Sequence, residues 1–308
     1  MSKAAESRFS FYPFKDQLVS FAFVLPAVAI FVVFYIYPFF EIFSLSLHEW
    51  NGISLMRTFI GLQNFMNLMR DSLWWGSVGH AAYITILALT LQNALAFGLA
   101  LACDQKIKFR NVYHIIFFIP PVLSEIVVGL IWTWILYSGM QGGQHIGFLN
   151  YMFHAVGLDS WIHSWLSDPK TALTCIAVVH CWKGFGWGFV MLLAGLQTID
   201  KQLYEVAEID GAGWWGTFWN VTIPMMMPVI LVVVILTILG SMQAFVLILA
   251  MVSQGLVNHT DVPVTRILSS MTETNQFGYA CAQGIIFALI LITVSFGMKI
   301  ISSRVKPA

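Results

Sequence analysis

The chain has 308 residues, with 15 Lys and Arg against 15 Asp and Glu, and so carries no net charge. Hydrophobic residues make up 58% and charged residues only 10%, with a mean hydropathy of +0.79. A soluble domain carries about 25% charged residues, so a soluble globular fold is excluded and a polytopic membrane protein is indicated.

Apolar runs long enough to cross about 30 Å of hydrocarbon at 1.5 Å per residue fall at roughly 19–43, 78–102, 113–137, 172–197, 225–252 and 279–301. The expectation is an all-α fold of six transmembrane helices forming a single domain, 1–308. The first run lacks a small-residue cleavage site and is too long for a signal peptide, so it reads as a retained helix. Lys3, Arg8, Lys15, Lys106, Lys108, Arg110, Lys201, Lys299, Arg304 and Lys306 fall in one set of tails and loops, and only Arg57, Arg70, Lys170 and Arg266 in the other. The positive-inside rule then predicts that both termini and the loop at 200–224 are cytoplasmic. Cys103, Cys175, Cys181 and Cys281 lie within or beside the runs without paired external spacing, and read as packing residues. No Walker A loop, dinucleotide fingerprint or zinc-type motif is present, so no metal site is expected and any ATP is bound by another chain. No nucleic-acid partner is expected either.

Along the chain, Phe59–Phe65 is an amphipathic stretch after the first run, and Gly147–Asn150 with Trp161 and Trp165 suggests helices lying along a membrane surface, where indole rings are favoured. Ionisable groups within apolar runs are costly and mark a pathway or a buried pair, and two stand out. Glu125 lies near the middle of the third run and Lys183 near the middle of the fourth. Equal depth permits an ion pair, in which case loss of Lys183 strands a buried carboxyl; the other reading is that Lys183 meets substrate. His180, Lys183, Gly184 and Trp187 recur at i, i+3, i+4 and i+7, one side of a helix. An indole beside a glycine gap suits a sugar ring, whose C–H face stacks on an aromatic. In the fifth run Leu236, Leu239, Gly240 and Gln243 share that spacing.

Between the fourth and fifth runs lies a polar island, Tyr204 to Pro224, which carries Glu205, Glu208, Asp210 and Gly211. Asp200 to Asp210 can form a short helix, and Gly211 tolerates the positive φ needed to turn into a second one. Glu205-Val206-Ala207, three residues, Gly211, nine residues, then Val221-Thr222-Ile223-Pro224 resembles the Glu-Ala-Ala loop of permease subunits of bacterial ABC importers. Val206, Val221 and Ile223 are conservative departures. The likeness extends from about residue 18 to 301, through Phe59–Phe65, the Gly255–Asp261 loop and Phe277–Ala280, to the carbohydrate-type, maltose and oligosaccharide permeases.

That resemblance implies a type I importer permease in the bacterial cytoplasmic (inner) membrane, forming half of a translocation pore and catalysing nothing itself. Its partners would be a second homologous permease, two ATP-binding subunits that hold ATP and Mg, and an extracytoplasmic solute-binding protein. Glu205, Ala207, Asp210 and Gly211 carry over as ATPase-coupling residues: small Ala207 permits close approach, and Glu205 offers a charge-assisted bond to a basic groove. His180, Lys183, Gly184 and Trp187, with Leu239, Gly240 and Gln243, carry over as substrate-binding positions. Leu236, Leu239 and Gly240 lack groups that would touch a neutral disaccharide, so the pocket differs in size or substrate. Oligosaccharide is the leading substrate class, and His180 with Lys183 tilts the reading toward an acidic, uronate-type oligomer. Glycerol phosphate or a polyol carried by the same mechanism is the alternative, and a self-sufficient channel or secondary transporter is the rival from another class.

Overall fold

The computed structural model of the protein describes residues 14–105, 108–141, 144–145, 147–252 and 257–304. Lys3, Arg8, Lys106, Gly255 and Lys306 lie outside the described residues. Among the described residues five helices are long and apolar enough to cross a membrane: Ser20–Ser46 (α1), Ser72–Asp104, Ala172–Leu196, Trp214–Met242 and Phe277–Ile300. A sixth crossing exists only if the bent pair Arg110–Val122 and Glu125–Ile135 is one span. In chain order the helices after α1 are Gln63–Arg70 (α2), Ser72–Asp104 (α3), Arg110–Val122 (α4), Glu125–Ile135 (α5), Phe148–Ala155 (α6), Ala172–Leu196 (α7), Lys201–Ile209 (α8), Trp214–Met242 (α9), Val246–Met251 (α10), Val257–Thr260 (α11), Pro263–Thr272 (α12) and Phe277–Arg304 (α13). Two short antiparallel ribbons, His48–Glu49 with Thr58–Phe59 and Met140–Gln141 with Gln144–His145, and a 3-10 turn at Asp159–Trp161 complete the described secondary structure.

The third run, 113–137, is therefore not one straight helix. Pro120 and Pro121 occupy the last turn of α4, where a missing N–H opens the backbone ladder. Leu123 and Ser124 then adopt extended ψ angles of 141° and 139°, and α5 leaves at 96° to α4. The fifth run also differs from the expected 225–252. Its helix begins at Trp214, inside the 200–224 loop, because Trp-Trp-Gly-Thr-Phe-Trp continues as helix through a π turn at Phe218–Thr222. That turn sits just before Pro224, which has no N–H to donate. The same helix stops at Met242, and α10 is a separate piece.

Helix α7 is the hub. Of its most apolar stretch 56% is buried, against 0% for α1, so α1 relies on lipid or another chain to cover its exposed faces. One cluster of buried residues joins Ile84 of α3, Val128 of α5, Ile176 of α7 and Leu247 of α10. A second, nearer the α8 loop, joins Ala100, Phe189, Leu192 and Met226. A third packs Leu68 and Trp74 against Ile238 and Phe287. Fully burying one such side chain contributes about 1.5–3 kcal/mol. Asp71 caps α3 by accepting from the N–H groups of Leu73 and Trp74 and also accepts a 2.7 Å bond from the Tyr279 hydroxyl. That residue thereby fastens the start of α3 to the start of α13.

Candidate functional site

Two places in this fold gather the residues that the sequence singles out. The first is a pocket of about 190 Å³ between α7 and α9, with α3 and α5 supplying the remaining wall. His180, Lys183, Gly184 and Trp187 line it from α7, and Leu236, Thr237, Gly240 and Ser241 from α9. The helical period brings the α7 residues together, as their spacing requires. Leu239 and Gln243 are not in this lining: Leu239 is rotated away from Gly240 by one residue's turn, and Gln243 caps the end of α9. Gln92 and Glu125 complete the wall.

The polar groups are partly joined. The Lys183 Nζ lies 3.8 Å from Glu125 Oε1. Glu125 is the first residue of α5, where the positive end of the helix dipole favours a carboxylate. His180 Nε2 lies 3.1 Å from Ser241 Oγ, which ties α7 to α9, and Thr237 donates a 3.1 Å bond to Asn93 Oδ1 on α3. Trp187 lines the pocket and is 41% exposed, so its indole is not fully covered by the protein. The glycine gap predicted for a sugar ring is filled from within: a Cβ on Gly184 would stand 2.4 Å from Gln92 Oε1. Gly240 has open space beside it. Gln92, Thr237 and Ser241 were not legible as pocket residues, although an amide inside an apolar run was itself a signal.

A groove of about 330 Å³ elsewhere is lined by Leu130, Ile131, Trp134, Ile135 and Phe148 and is almost wholly apolar. It offers a hydroxylated solute too few donors and acceptors, so the smaller polar pocket is the candidate.

The second place is the α8 loop. Asp200 caps α8, accepting a 3.0 Å bond from Gln202 N–H. The helix ends with Ala212 N–H donating to Ala207 O at 2.9 Å and Gly211 N–H to Glu208 O at 3.0 Å, the paired bonds of a Schellman motif. Gly211 takes φ +77° there. Glu205, Asp210 and Gly211 are exposed and Ala207 is half-buried. The Tyr204 hydroxyl, 3.3 Å from Thr222 Oγ1, ties α8 to the start of α9. From Leu196, next to this loop, Lys183 is about 20 Å away along α7 at 1.5 Å per residue.

The predicted surface helices divide. Trp161 is exposed, whereas Trp165 donates a 2.8 Å bond to Asn150 and packs against the core. The four cysteines are free, Cys103 and Cys181 buried and Cys175 and Cys281 half-buried. Among the described residues no group of three or more His, Cys, Asp or Glu could hold a metal.

The solved structure of a bacterial ABC transporter involved in the import of the acidic polysaccharide alginate has the same fold, with a TM-score of 0.80 at 22% identity over 94% of this chain and 96% of that one. The probable ABC transporter permease protein YurN of Bacillus subtilis is 27% identical over 91% of this chain and 94% of its own length. The multiple sugar-binding transport system permease protein MsmF of Streptococcus mutans is 30% identical over 86% and 88%. The sn-glycerol-3-phosphate transport system permease protein UgpA of Agrobacterium fabrum is 25% identical over 95% and 97%. Residues 94–307 match the binding-protein-dependent transport system inner membrane component family, a family of transport proteins rather than enzymes, and the chain, a multi-pass membrane permease, belongs to it.

Proposed function

We propose that this chain is one permease half of an ATP-driven sugar importer and that the pocket between α7 and α9 is its share of the solute path. The observation that carries the reading is the convergence of His180, Lys183, Trp187 and Gly240 on one polar pocket inside otherwise apolar helices. A pocket of about 190 Å³ is smaller than the 300–1,000 Å³ of complete ligand sites, which fits a site closed by a second homologous permease. The most apolar stretch of α1, none of it buried, offers that partner, or lipid, an apolar face. Relatives named for multiple sugars, starch degradation products and diacetylchitobiose support an oligosaccharide as cargo.

An extracytoplasmic binding protein would deliver the solute, and two ATPase subunits, holding ATP and Mg, would dock on α8 through Glu205, Ala207, Asp210 and Gly211. The distribution of basic residues supports cytoplasmic termini and a cytoplasmic α8 in a bacterial inner membrane. Closure of the ATPases would favour an outward-facing pore, and hydrolysis would return it inward with its cargo. An acidic, uronate-type oligomer is the finer substrate reading, drawn by Lys183; Glu125 beside it lets the same pocket serve neutral sugars. The relative that carries sn-glycerol-3-phosphate favours a second reading in which a phosphate replaces the uronate. Membership of a binding-protein-dependent family speaks against a self-sufficient channel.

The test is reconstitution with the co-encoded ATPase, partner permease and binding protein, followed by uptake of neutral disaccharides, a uronate disaccharide and glycerol 3-phosphate. ATP-dependent uptake of a saccharide that requires the binding protein is expected, and uptake without ATP or binding protein overturns the reading. Impermeant thiol reagents applied outside intact cells should label cysteines introduced at 60, 160 and 258 but not at 208.

A further inference from the structure

The geometry points to Gln92 as a solute-contacting, specificity-determining residue of the pocket, its carboxamide oxygen accepting a hydrogen bond from a hydroxyl of the cargo. This rests on the reading of the α7–α9 pocket as the solute path. Three observations converge on the side chain. Gln92 is 6% exposed and lines the pocket, yet its Oε1 is fully buried and has no hydrogen-bond partner. A buried acceptor left unpaired costs about 1–3 kcal/mol, and native proteins retain such groups where they have a use.

The second observation is local. Gln92 closes a π turn, Ala88–Gln92, in the middle of α3. Such turns insert one residue into the helix and occur frequently at functional sites. Consecutive amides then divide their tasks: Asn93 accepts from Thr237 of α9, while Gln92 is left facing α7.

Third, the opposing helix makes room for it. Gly184 is the residue whose Cβ would stand 2.4 Å from Gln92 Oε1 and 2.7 Å from its Cδ. Any other residue at 184 would displace the amide, so the glycine holds open a seat that the carboxamide occupies. Gln92 lines the same wall as the ammonium of Lys183 and the indole of Trp187, and a half-turn of its carboxamide about the last side-chain bond would exchange oxygen and nitrogen and bring the buried acceptor toward the opening. A solute matching this set carries a hydroxyl donor for Gln92, an acceptor or anion for Lys183 and a flat C–H face for Trp187. Polyhydroxylated rings have all three, and a small polyol lacks the face.

The experiment uses the reconstituted importer, with Gln92→Leu and Gln92→Glu compared with the unsubstituted permease. Each is assayed for uptake of maltose, a uronate disaccharide and their mono-deoxy analogues, and for binding-protein-stimulated ATP hydrolysis. Removing the acceptor with Leu should lower uptake of the best-carried saccharide about tenfold, the worth of one buried hydrogen bond. It should leave uptake of one mono-deoxy analogue unchanged, so that discrimination between the two collapses. Gln92→Glu keeps an acceptor and should preserve that discrimination. A purely structural role predicts equal losses for saccharide and analogue, and that result, or no loss at all, overturns the proposal. Trp187→Ala separates this failure from failure of the underlying reading. If it alters selectivity while Gln92→Leu does not, only Gln92 is wrongly assigned; if neither does, the pocket is not the solute path.

Discussion

The Lys183 ammonium and the Glu125 carboxylate stand 3.8 Å apart, and they are unequally covered, the lysine side chain 17% exposed and the glutamate 43%. The separation is beyond direct hydrogen-bonding range, so the attraction is coulombic and modest, and the lysine is the partner that depends on it. Equal depth in the two runs suggested a buried carboxyl that needs Lys183. The exposures reverse that order. Glu125→Gln should destabilise the purified protein by roughly 1–3 kcal/mol, because it strands a covered cation, whereas Lys183→Met should cost under about 1 kcal/mol. The double variant should recover most of the Glu125→Gln loss, read as a coupling energy in a denaturation cycle. Additive effects would show that the two charges do not interact.

The α8 loop separates stability from coupling. Gly211 at φ +77° tolerates no β-branched side chain without strain of about 1–3 kcal/mol, so Gly211→Val should lower the midpoint of thermal unfolding. Exposed Glu205 has no such structural debt, and Glu205→Lys should leave unfolding unchanged. Both should reduce binding-protein-stimulated ATP hydrolysis by the reconstituted importer at least tenfold. Normal stimulated hydrolysis by Glu205→Lys would sink the coupling role for that residue.

The apolar runs were legible because hydropathy integrates over twenty residues and tolerates local irregularity. What it does not register is direction. Pro120-Pro121 lies inside the run 113–137 without lowering its hydropathy enough to split it, and the 96° departure of α5 depends also on the extended Leu123 and Ser124 and on α5 packing against α10 through Val128, Leu247 and Ile248. The aromatic Trp214–Trp219 stretch was absorbed into a polar loop because its neighbours Glu205, Glu208 and Asp210 are acidic, although the backbone runs on as helix. At the site, helical periodicity grouped His180, Lys183, Gly184 and Trp187 correctly, since all four share α7. It put Leu239 and Gln243 with Gly240 because i, i+3 and i+4 neighbours are near one another on any helix. Gln92 was out of reach of that rule, since a π turn changes the register and the pairing with Gly184 is ninety-two residues away in sequence.

The segment before α12 carries a titratable latch. Asp261 pairs with Arg266 at 2.7 Å, its backbone carbonyl lies 2.9 Å from His80 Nδ1 on α3, and burial pushes its carboxyl up to about 6, against the opposing pull of Arg266 and with a further push from Glu273. A raised folded-state value means that proton binding favours the folded arrangement. The contribution is complete below the unfolded value near 3.8 and is lost as pH rises through about 6. Amide exchange in 257–272 should therefore accelerate between pH 5 and pH 7 beyond its intrinsic rise, by an amount corresponding to roughly 1–2 kcal/mol once solvent screening is allowed for. Asp261→Asn should remove the excess. An unchanged excess in that variant would assign the titration to another group.

Gly184 and Gly240 face the same pocket but answer to different neighbours, which makes them a matched pair. A methyl at 184 meets Gln92 Oε1 at 2.4 Å, whereas a methyl at 240 meets nothing within 4 Å. Gly184→Ala should therefore push the end of the Gln92 side chain aside, a cost that offsets the up to about 1 kcal/mol that alanine otherwise gains over glycine in a helix, and Gln92→Ala in the same chain should release that gain by vacating the contested space. Gly240→Ala should gain up to about 1 kcal/mol, since alanine loses less backbone freedom than glycine in a helix. Its cost falls on transport: the added methyl narrows the pocket, so uptake should fall more for a trisaccharide than for a monosaccharide, measured as a ratio in the reconstituted importer. Equal stability changes at the two positions would mean that the Gln92 side chain does not occupy the space beside Gly184.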